Sequence, residues 1–468
     1  MSPRRELVFP TPLWRQAQAA LFGQNGVEGF AFGLARPCPR PDGLVYQVET
    51  LIAPEASGYL ARTTAGLSLS DRTSSQFNQA AAAAAPHGRV PLHLHSHPPG
   101  LPEFSTDDDR HEAALHHWLR AQGQPLLLSG VQAVGQPPQA RLWTVGDSQS
   151  VAVRVGLASL NPKVSDPSPT LDRQRAFGPG LRQAAADLWM GVIGLGGLGM
   201  LAVEQLARAG FRHFVLMDPD RVEASNLNRL PLGSSDLHRP KVQAAKTLIR
   251  RAAQAIGVTA EVQALIQDLY LADAAGHAAL RRCDVLLALT DDELSRLTAL
   301  QLAFEGGAEY LQAGVDIRLD AAGRIGGLWA EVTGAEWGRY CPICAGRLDP
   351  GQASLEARRY LGGAIWAQTQ REGYLPEVPS PAVMSLNSLA AGALVLEIQR
   401  RVAGLGSRDL WQLDFQTGQT RIFPHLDQHL PTGCAVCGRP ERWPEPTTVI
   451  PHSSAEWQRL TAVDPVVA

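Results

Sequence analysis

The chain has 468 residues, which is too long for one ordinary hydrophobic core and favours two or three domains. Its 42 basic and 45 acidic residues give a net charge of -3, so it lacks the basic surplus typical of proteins that bind nucleic acid or anionic membranes. The first fourteen residues carry two arginines without an apolar stretch behind them, and no run of about eighteen apolar residues follows, so we expect a cytoplasmic protein that binds neither nucleic acid nor membrane.

Residues 1–158 predict an α+β domain. Two helices, one ending in the alanine run 80–85 and one over 106–121, interrupt several strand-like runs. The predicted strands cover 29–34, 44–52, 90–97, 125–134 and 141–153.

A change in pattern after residue 158 predicts a second domain. The proline-rich stretch 159–170 is typical of a linker. From 171 the order becomes strand, glycine turn, helix, strand, with Gly210 after the first helix. We therefore expect a Rossmann-like, doubly wound and largely parallel sheet over 171–440, with a C-terminal tail over 441–468.

The stretch HLHSHPPGLPEFSTDDD, residues 93–109, predicts a strand that runs into a capped helix. On a strand, His93, His95 and His97 share one face while the leucines between them face a core. Two histidines at i and i+2, with a carboxylate from the next helix, form a three-ligand set that leaves zinc a fourth position for water. The alternative is that the histidines are solvated and the aspartates only cap the helix.

This stretch resembles the JAMM signature of the JAB/MPN metallopeptidases, His-x-His-x7-Ser-x2-Asp. The resemblance implies a catalytic zinc on His95, His97 and Asp108, with Ser105 beside the oxyanion. It also implies that an upstream glutamate, here Glu28, is the general base, while His93 lies outside the motif. The activity implied is an isopeptidase or peptidase acting on ubiquitin-like proteins or their C-terminal tails.

Gly194, Gly196 and Gly199 form a G-x-G-x-x-G turn between a strand and a helix, and Asp218 ends the next strand. The turn alone is equally typical of a nicotinamide dehydrogenase.

Further motifs resemble the ThiF-HesA-MoeB family, which includes the ubiquitin-activating enzymes. The family pattern is met by Asp218, Asp220, Ser225, Asn226, Arg229, Lys241, Asp291 and Arg296. The sequence departs from it where His238, Arg239 and Pro240 precede the lysine and where Asp292 replaces the usual asparagine.

The resemblance implies that ATP is bound and a carboxylate adenylated. Gly194, Gly196, Gly199, Asp218 and Asp220 would lie at the nucleotide, and Asn226, Arg229 and Lys241 at its phosphates. Asp291 would hold Mg²⁺, and Arg173 would reach the phosphates of a neighbouring subunit in a homodimer. Surface solvation is the alternative interpretation for Asp220, Arg296 and Asp292.

Four of the six cysteines form two Cys-x-x-Cys pairs. In a chain without a secretion signal this pattern favours a structural four-cysteine zinc site, with a redox dithiol as the alternative for either pair alone. The expected ligands are Cys341, Cys344, Cys434 and Cys437.

The interval that carries the acceptor cysteine in ubiquitin-activating enzymes contains none here. We therefore expect the acyl-adenylate to pass to a thiol of a conjugating-enzyme-like partner, or to a hydroxyl such as Ser354 or Ser380.

The sequence predicts a bifunctional enzyme of a bacterial ubiquitin-like conjugation pathway. Its second domain would adenylate the C-terminal glycine of a ubiquitin-like protein, and its first domain would process or remove that protein. Two alternatives remain, namely activation of a sulfur-carrier protein for cofactor or cysteine biosynthesis, and an adenylating enzyme whose first domain only docks the partner.

Overall fold

The computed structural model describes residues 3–23, 26–64, 66–145, 147–162, 169–320, 322–336, 341–360, 383–406, 410–422 and 437. The chain divides into two compact units, Met1–Lys163 and Val164–Ala468. The boundary between the two units falls within residues 159–170, the stretch that the sequence indicated as a linker. The tail 441–468, Ser380 and Cys434 lie outside the described residues.

The first unit contains one large sheet and three helices within its described residues. Its strands are β1 (Arg4–Phe9), β2 (Phe30–Arg40), β3 (Gly43–Ile52), β4 (Tyr59–Arg62), β5 (Leu67–Leu69), β6 (Val90–His97), β7 (Leu127–Ala133), β8 (Gln139–Thr144), β9 (Asp147–Val155) and β10 (Ala158–Ser159). Its helices are α1 (Thr11–Phe22), α2 (Asp71–Ala84) and α3 (Thr106–Ala121).

The large sheet has the order β1-β3-β2-β6-β7-β8-β9-β10, and β1 also pairs with β9, so the pairings close on themselves. Strands β4 and β5 form a separate hairpin. Leu92 and Leu94 of β6 are 0% and 5% exposed and belong to the core, whereas the histidines alternate with them on the other face. The strand prediction for this stretch is confirmed.

The second unit combines a parallel and an antiparallel half of one sheet. Its strands are β11 (Trp189–Ile193), β12 (His213–Met217), β13 (Glu261–Leu265), β14 (Val285–Ala288), β15 (Glu309–Leu319), β16 (Ile325–Ala335), β17 (Leu410–Asp414) and β18 (Gln419–Ile422). Its described helices of eight residues or more are α4 (Gly178–Asp187), α5 (Gly197–Arg208), α6 (Lys241–Ala255), α7 (Ala274–Arg281), α8 (Glu293–Gly306), α9 (Pro350–Ala357) and α10 (Met384–Val402).

The sheet order is β13-β12-β11-β14-β15-β16-β17-β18. The first five strands are parallel and the last three run antiparallel to their neighbours. The chain switches direction across the sheet at β11, where β12 lies on one side and β14 on the other. In open α/β sheets ligands bind at the carboxyl ends of the strands around such a point.

Three details of the structure differ from what the sequence predicted. The sheet of the second unit is parallel over only its first five strands, because β15 continues into the antiparallel partners β16 to β18. The single strand expected over 141–153 is a hairpin of β8 and β9. Strand β1 and helix α1 were not expected, although Pro12 stands in the first helical turn, where its missing N–H costs nothing.

Candidate functional site

Strand β6 and helix α3 bring the expected zinc ligands of the first unit together. His95 Nε2 lies 3.1 Å from His97 Nε2 and 3.1 Å from Asp108 Oδ1, and His97 Nε2 lies 3.2 Å from Asp108 Oδ2. A tetrahedral zinc with bonds of about 2.0–2.1 Å separates its ligand atoms by roughly 3.3 Å. With one oxygen taken from Asp108, the three ligand atoms lie within 4.8 Å of one another, which is close enough for all three side chains to contact one zinc ion.

Two surrounding contacts orient these ligands. The backbone N–H and hydroxyl of Ser105 each donate to Asp108 Oδ2 at 2.7 Å, while the Asp108 N–H donates to Ser105 Oγ, which makes a capping box for α3. The Nδ1 of His97 lies 3.2 Å from the carbonyl oxygen of Leu101. A backbone carbonyl on one ring nitrogen leaves the other free to ligate, as is typical of metal-bound histidines.

Glu28 is anchored beside this cluster by backbone contacts. Its N–H donates to the carbonyl of Thr63 at 2.8 Å, and the next residue, Gly29, donates its N–H to Ser96 Oγ at 2.8 Å. Ser96 lies between His95 and His97, so this bond ties the Glu28 segment to the ligand strand. The role of Ser96 was missed, because a serine between two histidines carries no signal of its own.

The charges of the cluster act on one another. Burial raises the pKa of Glu28, against the opposing effect of His97 and His95. Burial also acts to raise the pKa of Asp108, but hydrogen bonds with His95 and His97 hold it well below its usual value. The hydrogen bond with Asp108 raises the pKa of His97. Asp108 is therefore the ionised partner of the two rings.

His93 lies apart from the ligand set. Its ring makes edge contacts with Phe30 and Phe32, at centroid distances of 5.4 and 5.9 Å, and burial lowers its pKa to about 4. It is therefore a neutral packing residue, whereas the sequence had left open that it is solvated.

In the second unit, the glycine turn joins β11 to α5. Gly194 has a φ of +88°, and a Cβ added there would lie 2.8 Å from the backbone of Leu289. A Cβ on Gly199 would lie 2.1 Å from the carbonyl oxygen of Gly194. A Cβ on Gly196 would meet no atom within 4 Å. Thus Gly194 and Gly199 are required by the turn itself, whereas Gly196 borders open space that a phosphate can approach.

Asp218, at the carboxyl end of β12, supports this turn. Its Oδ2 accepts from the N–H of Leu195 at 2.6 Å and its Oδ1 from the N–H of Asp220 at 2.8 Å. Burial raises its pKa, although the charge of Lys241 acts to lower it. Lys241 begins α6, and its Nζ lies 2.7 Å from Asp220 Oδ2.

Three of the other expected nucleotide residues occupy loops near the same edge, whereas Arg173 lies near the opposite end of α5, where the adjacent Gln174 donates to the carbonyl of Arg208. Arg229 donates from Nη1 to the carbonyl of Ser225 at 3.0 Å, and its own carbonyl lies 3.4 Å from a Cβ built on Gly197. The buried Asn226 accepts from the N–H of Glu223 through Oδ1. Asp291 is exposed in the loop after β14. Arg173 is exposed in the 3-10 helix Asp172–Phe177.

Surface solvation was the alternative interpretation for three charged residues, and each of them has an ion-pair partner in the structure. Asp220 pairs with Lys241, although its side chain is 62% exposed. Arg296 donates from Nη2 to the carbonyl of Thr290 at 3.0 Å and pairs with a glutamate at 3.2 Å. Asp292 caps α8 by accepting from the N–H of Ser295 at 2.8 Å and pairs with Arg359. Arg296 and Asp292 therefore make structural contacts, whereas the largely exposed Asp220 is consistent with either interpretation.

The cysteines of the second unit gather as expected, as far as they are described. Cys341 Sγ lies 3.9 Å from Cys344 Sγ, which lies 3.4 Å from Cys437 Sγ. A tetrahedral zinc with Zn–S bonds of about 2.3 Å places its sulfurs roughly 3.8 Å apart. Three of the four expected ligands thus fit one metal ion, and the fourth, Cys434, lies outside the described residues. Cys283 and Cys38 are buried elsewhere.

Known proteins are similar to parts of this chain. The chain is 28% identical over 261 residues to the molybdopterin-synthase adenylyltransferase of Escherichia coli K12, covering 55% of this chain and 90% of that protein. It is 38% identical over 116 residues to the sulfur carrier protein ThiS adenylyltransferase of the same strain, covering 25% and 44%. It is 44% identical over 77 residues to the NEDD8-activating enzyme E1 catalytic subunit of Arabidopsis thaliana, covering 16% and 17%.

Among solved structures, E. coli MccB with ATP is 14% identical and overlays with a TM-score of 0.43 over 57% of this chain and 72% of that one. No described helix has both the length and the apolar character needed to cross a membrane. The ThiF family model matches residues 171–431, which include the glycine turn, Asp218, Lys241, Asp291 and the first cysteine pair. The chain therefore belongs to the ThiF family.

Proposed function

We propose that the second unit adenylates the C-terminal carboxylate of a ubiquitin-like or sulfur-carrier protein with ATP. The observation that carries this proposal is the convergence at one sheet edge of a glycine turn open at Gly196, the buried Asp218 and the cation Lys241. Relatives named as adenylyltransferases of molybdopterin synthase and of ThiS support the choice of substrate.

Each residue has a role suited to this reaction. The backbone at Gly196 gives the phosphates close access, and Asp218 would bind the ribose hydroxyls. Asn226, Arg229 and Lys241 would stabilise the charge on the phosphates as pyrophosphate leaves, after Lys241 exchanges its contact with Asp220 for the nucleotide. Asp291 would hold Mg²⁺, which neutralises phosphate charge when bound.

An ATP-pyrophosphate exchange assay tests this function. Exchange should depend on a small protein that ends in a free glycine, and should fall at least about 100-fold in Lys241→Ala and Asp291→Ala. Arg250→Ala, an exposed change on the same helix as Lys241, is the matched control and should leave exchange unchanged. Exchange that persists in both site variants would overturn the proposal.

We also propose that the first unit is a JAB/MPN-like zinc peptidase that acts on the tail of the same small protein. The observation that carries it is the mutual spacing of His95, His97 and Asp108, which fits zinc. Bound zinc would lower the pKa of a water molecule to about 7. Glu28 would take the proton and pass it to the leaving amine, and the Ser105 hydroxyl, after exchanging its contact with Asp108 for the substrate, would donate to the oxyanion.

A fusion of the small protein to a C-terminal extension tests the peptidase. Cleavage followed by mass spectrometry should fall at least about 100-fold in Glu28→Gln and in Asp108→Ala. Asp107→Ala removes the neighbouring aspartate, whose side chain is 73% exposed, and should cleave normally. Binding of the small protein without any cleavage would instead support a docking domain.

The acceptor is proposed to be a thiol of a conjugating-enzyme-like protein. Ser354, one of the candidate hydroxyls, donates to the carbonyl of Pro350 at 2.9 Å within its own helix, which does not favour it as a nucleophile. A conjugating enzyme among the partners would indicate protein modification, and a sulfur donor would indicate biosynthesis.

A homodimer through the second unit is also proposed, with Arg173 acting on the nucleotide of the partner subunit. Mixing the Arg173→Ala and Lys241→Ala variants should then restore part of the exchange activity, because one site of each mixed dimer is complete. A mixture no more active than the sum of its components would contradict this arrangement.

A further inference from the structure

A buried polar network lies behind the zinc ligands of the first unit. Glu112, 6% exposed, is on α3 one turn after Asp108. Its Oε2 accepts from Ser129 Oγ at 2.7 Å, from Arg141 Nε at 2.8 Å and from Trp143 Nε1 at 2.7 Å. One carboxylate oxygen therefore joins α3 to strands β7 and β8.

Arg141 extends this network to the ligand end of the helix. Its Nη1 lies 2.5 Å from Asp109 Oδ1, and its guanidinium carbon lies 3.8 Å from the centroid of the Phe104 ring. Phe104 directly precedes Ser105 and Asp109 directly follows Asp108. Arg141 thus contacts the residues on both sides of the capping box that holds the Asp108 carboxylate.

The hydrogen bonds of Arg141 and Glu112 do more than pack α3 against the sheet. A 9% exposed arginine and a 6% exposed glutamate are costly to bury unless their hydrogen bonds are satisfied. The Arg141 guanidinium is planar and rigid, and it binds Glu112 through Nε and Asp109 through Nη1. It therefore fixes the distance between these two carboxylates on successive turns of α3. The first turn of α3 is thereby held in register with β8, and β6 carries the histidines two strands away in the same sheet.

We propose that Arg141 and Glu112 are positioning residues that preset Asp108 and Ser105 for the metal before it binds. This inference rests on the zinc site proposed above. Residues that orient metal ligands without touching the metal typically change metal affinity by roughly 10- to 100-fold when they are altered.

Metal binding measured on the full chain tests the inference. Arg141→Lys keeps the charge but loses the planar, two-ended contact. It should weaken Zn²⁺ binding to the first unit by roughly 10- to 100-fold, measured by competition with a chromophoric chelator. The visible absorption of bound Co²⁺, which reports ligand geometry, should also change. The four-cysteine site is removed from all samples by combining Cys341→Ser with Cys434→Ser, so that only metal bound to the first unit is measured.

The matched control is Arg154→Lys. Arg154 is 5% exposed and pairs with Glu6 at 2.9 Å on β1, so this change also disturbs a buried ion pair of the same unit. It should lower the melting temperature without moving Zn²⁺ affinity or the Co²⁺ spectrum.

The outcomes separate the two proposals. If His95→Ala and Asp108→Ala keep full metal affinity, the zinc site itself is wrong. If those variants lose the metal while Arg141→Lys binds it like the Arg154→Lys control, the site stands and the positioning role is overturned.

Discussion

Ser96 lies between the two expected histidine ligands, but its side chain points to the opposite face of β6 and makes hydrogen bonds there. It is 2% exposed, accepts from the N–H of Gly29 and donates to the carbonyl of Leu21 at 3.1 Å. A Cβ on Gly29 would lie 2.3 Å from a backbone oxygen, so this junction has room only for glycine. The Ser96 hydroxyl therefore adds to the backbone bond from the Ser96 N–H to the Gly29 carbonyl in holding the Glu28 segment against the ligand strand.

Replacing Ser96 by alanine should destabilise the first unit by about 1–3 kcal/mol, because a buried N–H and a buried C=O lose their partner. Chemical denaturation followed by fluorescence measures this free energy of unfolding. Ser150→Ala, an exposed change on β9, should stay within about 0.5 kcal/mol of the unchanged protein. Equal stability of the two variants would show that the hydroxyl is dispensable.

His238 is one of the residues at which the chain departs from the family pattern, and it has a φ of +67°. Its N–H donates to Val222 and its carbonyl accepts from Arg221, which fixes this conformation three residues before Lys241. His238→Val should cost about 1–2 kcal/mol, because a branched side chain is strained in the left-handed region. His238→Gly should be tolerated, and thermal unfolding of the two variants provides the comparison.

Among the secondary-structure elements, the turn between β11 and α5 contains two kinds of glycine. Some are needed for the backbone of the turn, and one leaves space for a ligand. The sequence shows three equivalent glycines. The backbone around them distinguishes Gly199, which contacts Gly194, from Gly196, which faces open space.

Gly199→Ala should lower the stability of the second unit by about 1–3 kcal/mol, because the added carbon overlaps the turn. Gly196→Ala should leave the melting temperature unchanged but weaken ATP binding, measured by calorimetry. A Gly196→Ala variant that binds ATP normally would show that the open space beside Gly196 is not the phosphate site.

For the whole molecule, each of the two units has its own candidate metal cluster. Cys341, Cys344 and Cys437 tie separate parts of the second unit together, whereas the ligands of the first unit come from one strand and one helix. A thiolate cluster of this kind contributes to folding, and a three-ligand set leaves a position for chemistry.

Elemental analysis should therefore find about two zinc ions per chain, one for each proposed site. Cys341→Ser combined with Cys434→Ser should remove one of them and leave peptidase activity in place. Unchanged zinc content in that double variant would refute the four-cysteine assignment.

The sequence by itself determined the elements whose pattern is local. The alternation of leucine and histidine predicted β6 and its faces, Ser105 and the aspartates predicted the start of α3, and the glycine turn predicted β11 and α5. The order of ThiF motifs predicted the family, since each motif is a short run whose residue types suit one chemistry.

Only the tertiary structure decided what depends on distant segments. The antiparallel half of the second sheet follows from the pairing of β15 with β16 and of β16 with β17. Strand β17 begins at Leu410, 75 residues after β16 ends at Ala335. No local pattern encodes a pairing between strands so far apart in the chain. The contacts of Arg141, Ser96 and Arg296 likewise join residues or backbone groups that carry no signal in sequence. The sequence identifies the chemistry of each side chain, but packing between distant elements determines which groups that side chain contacts.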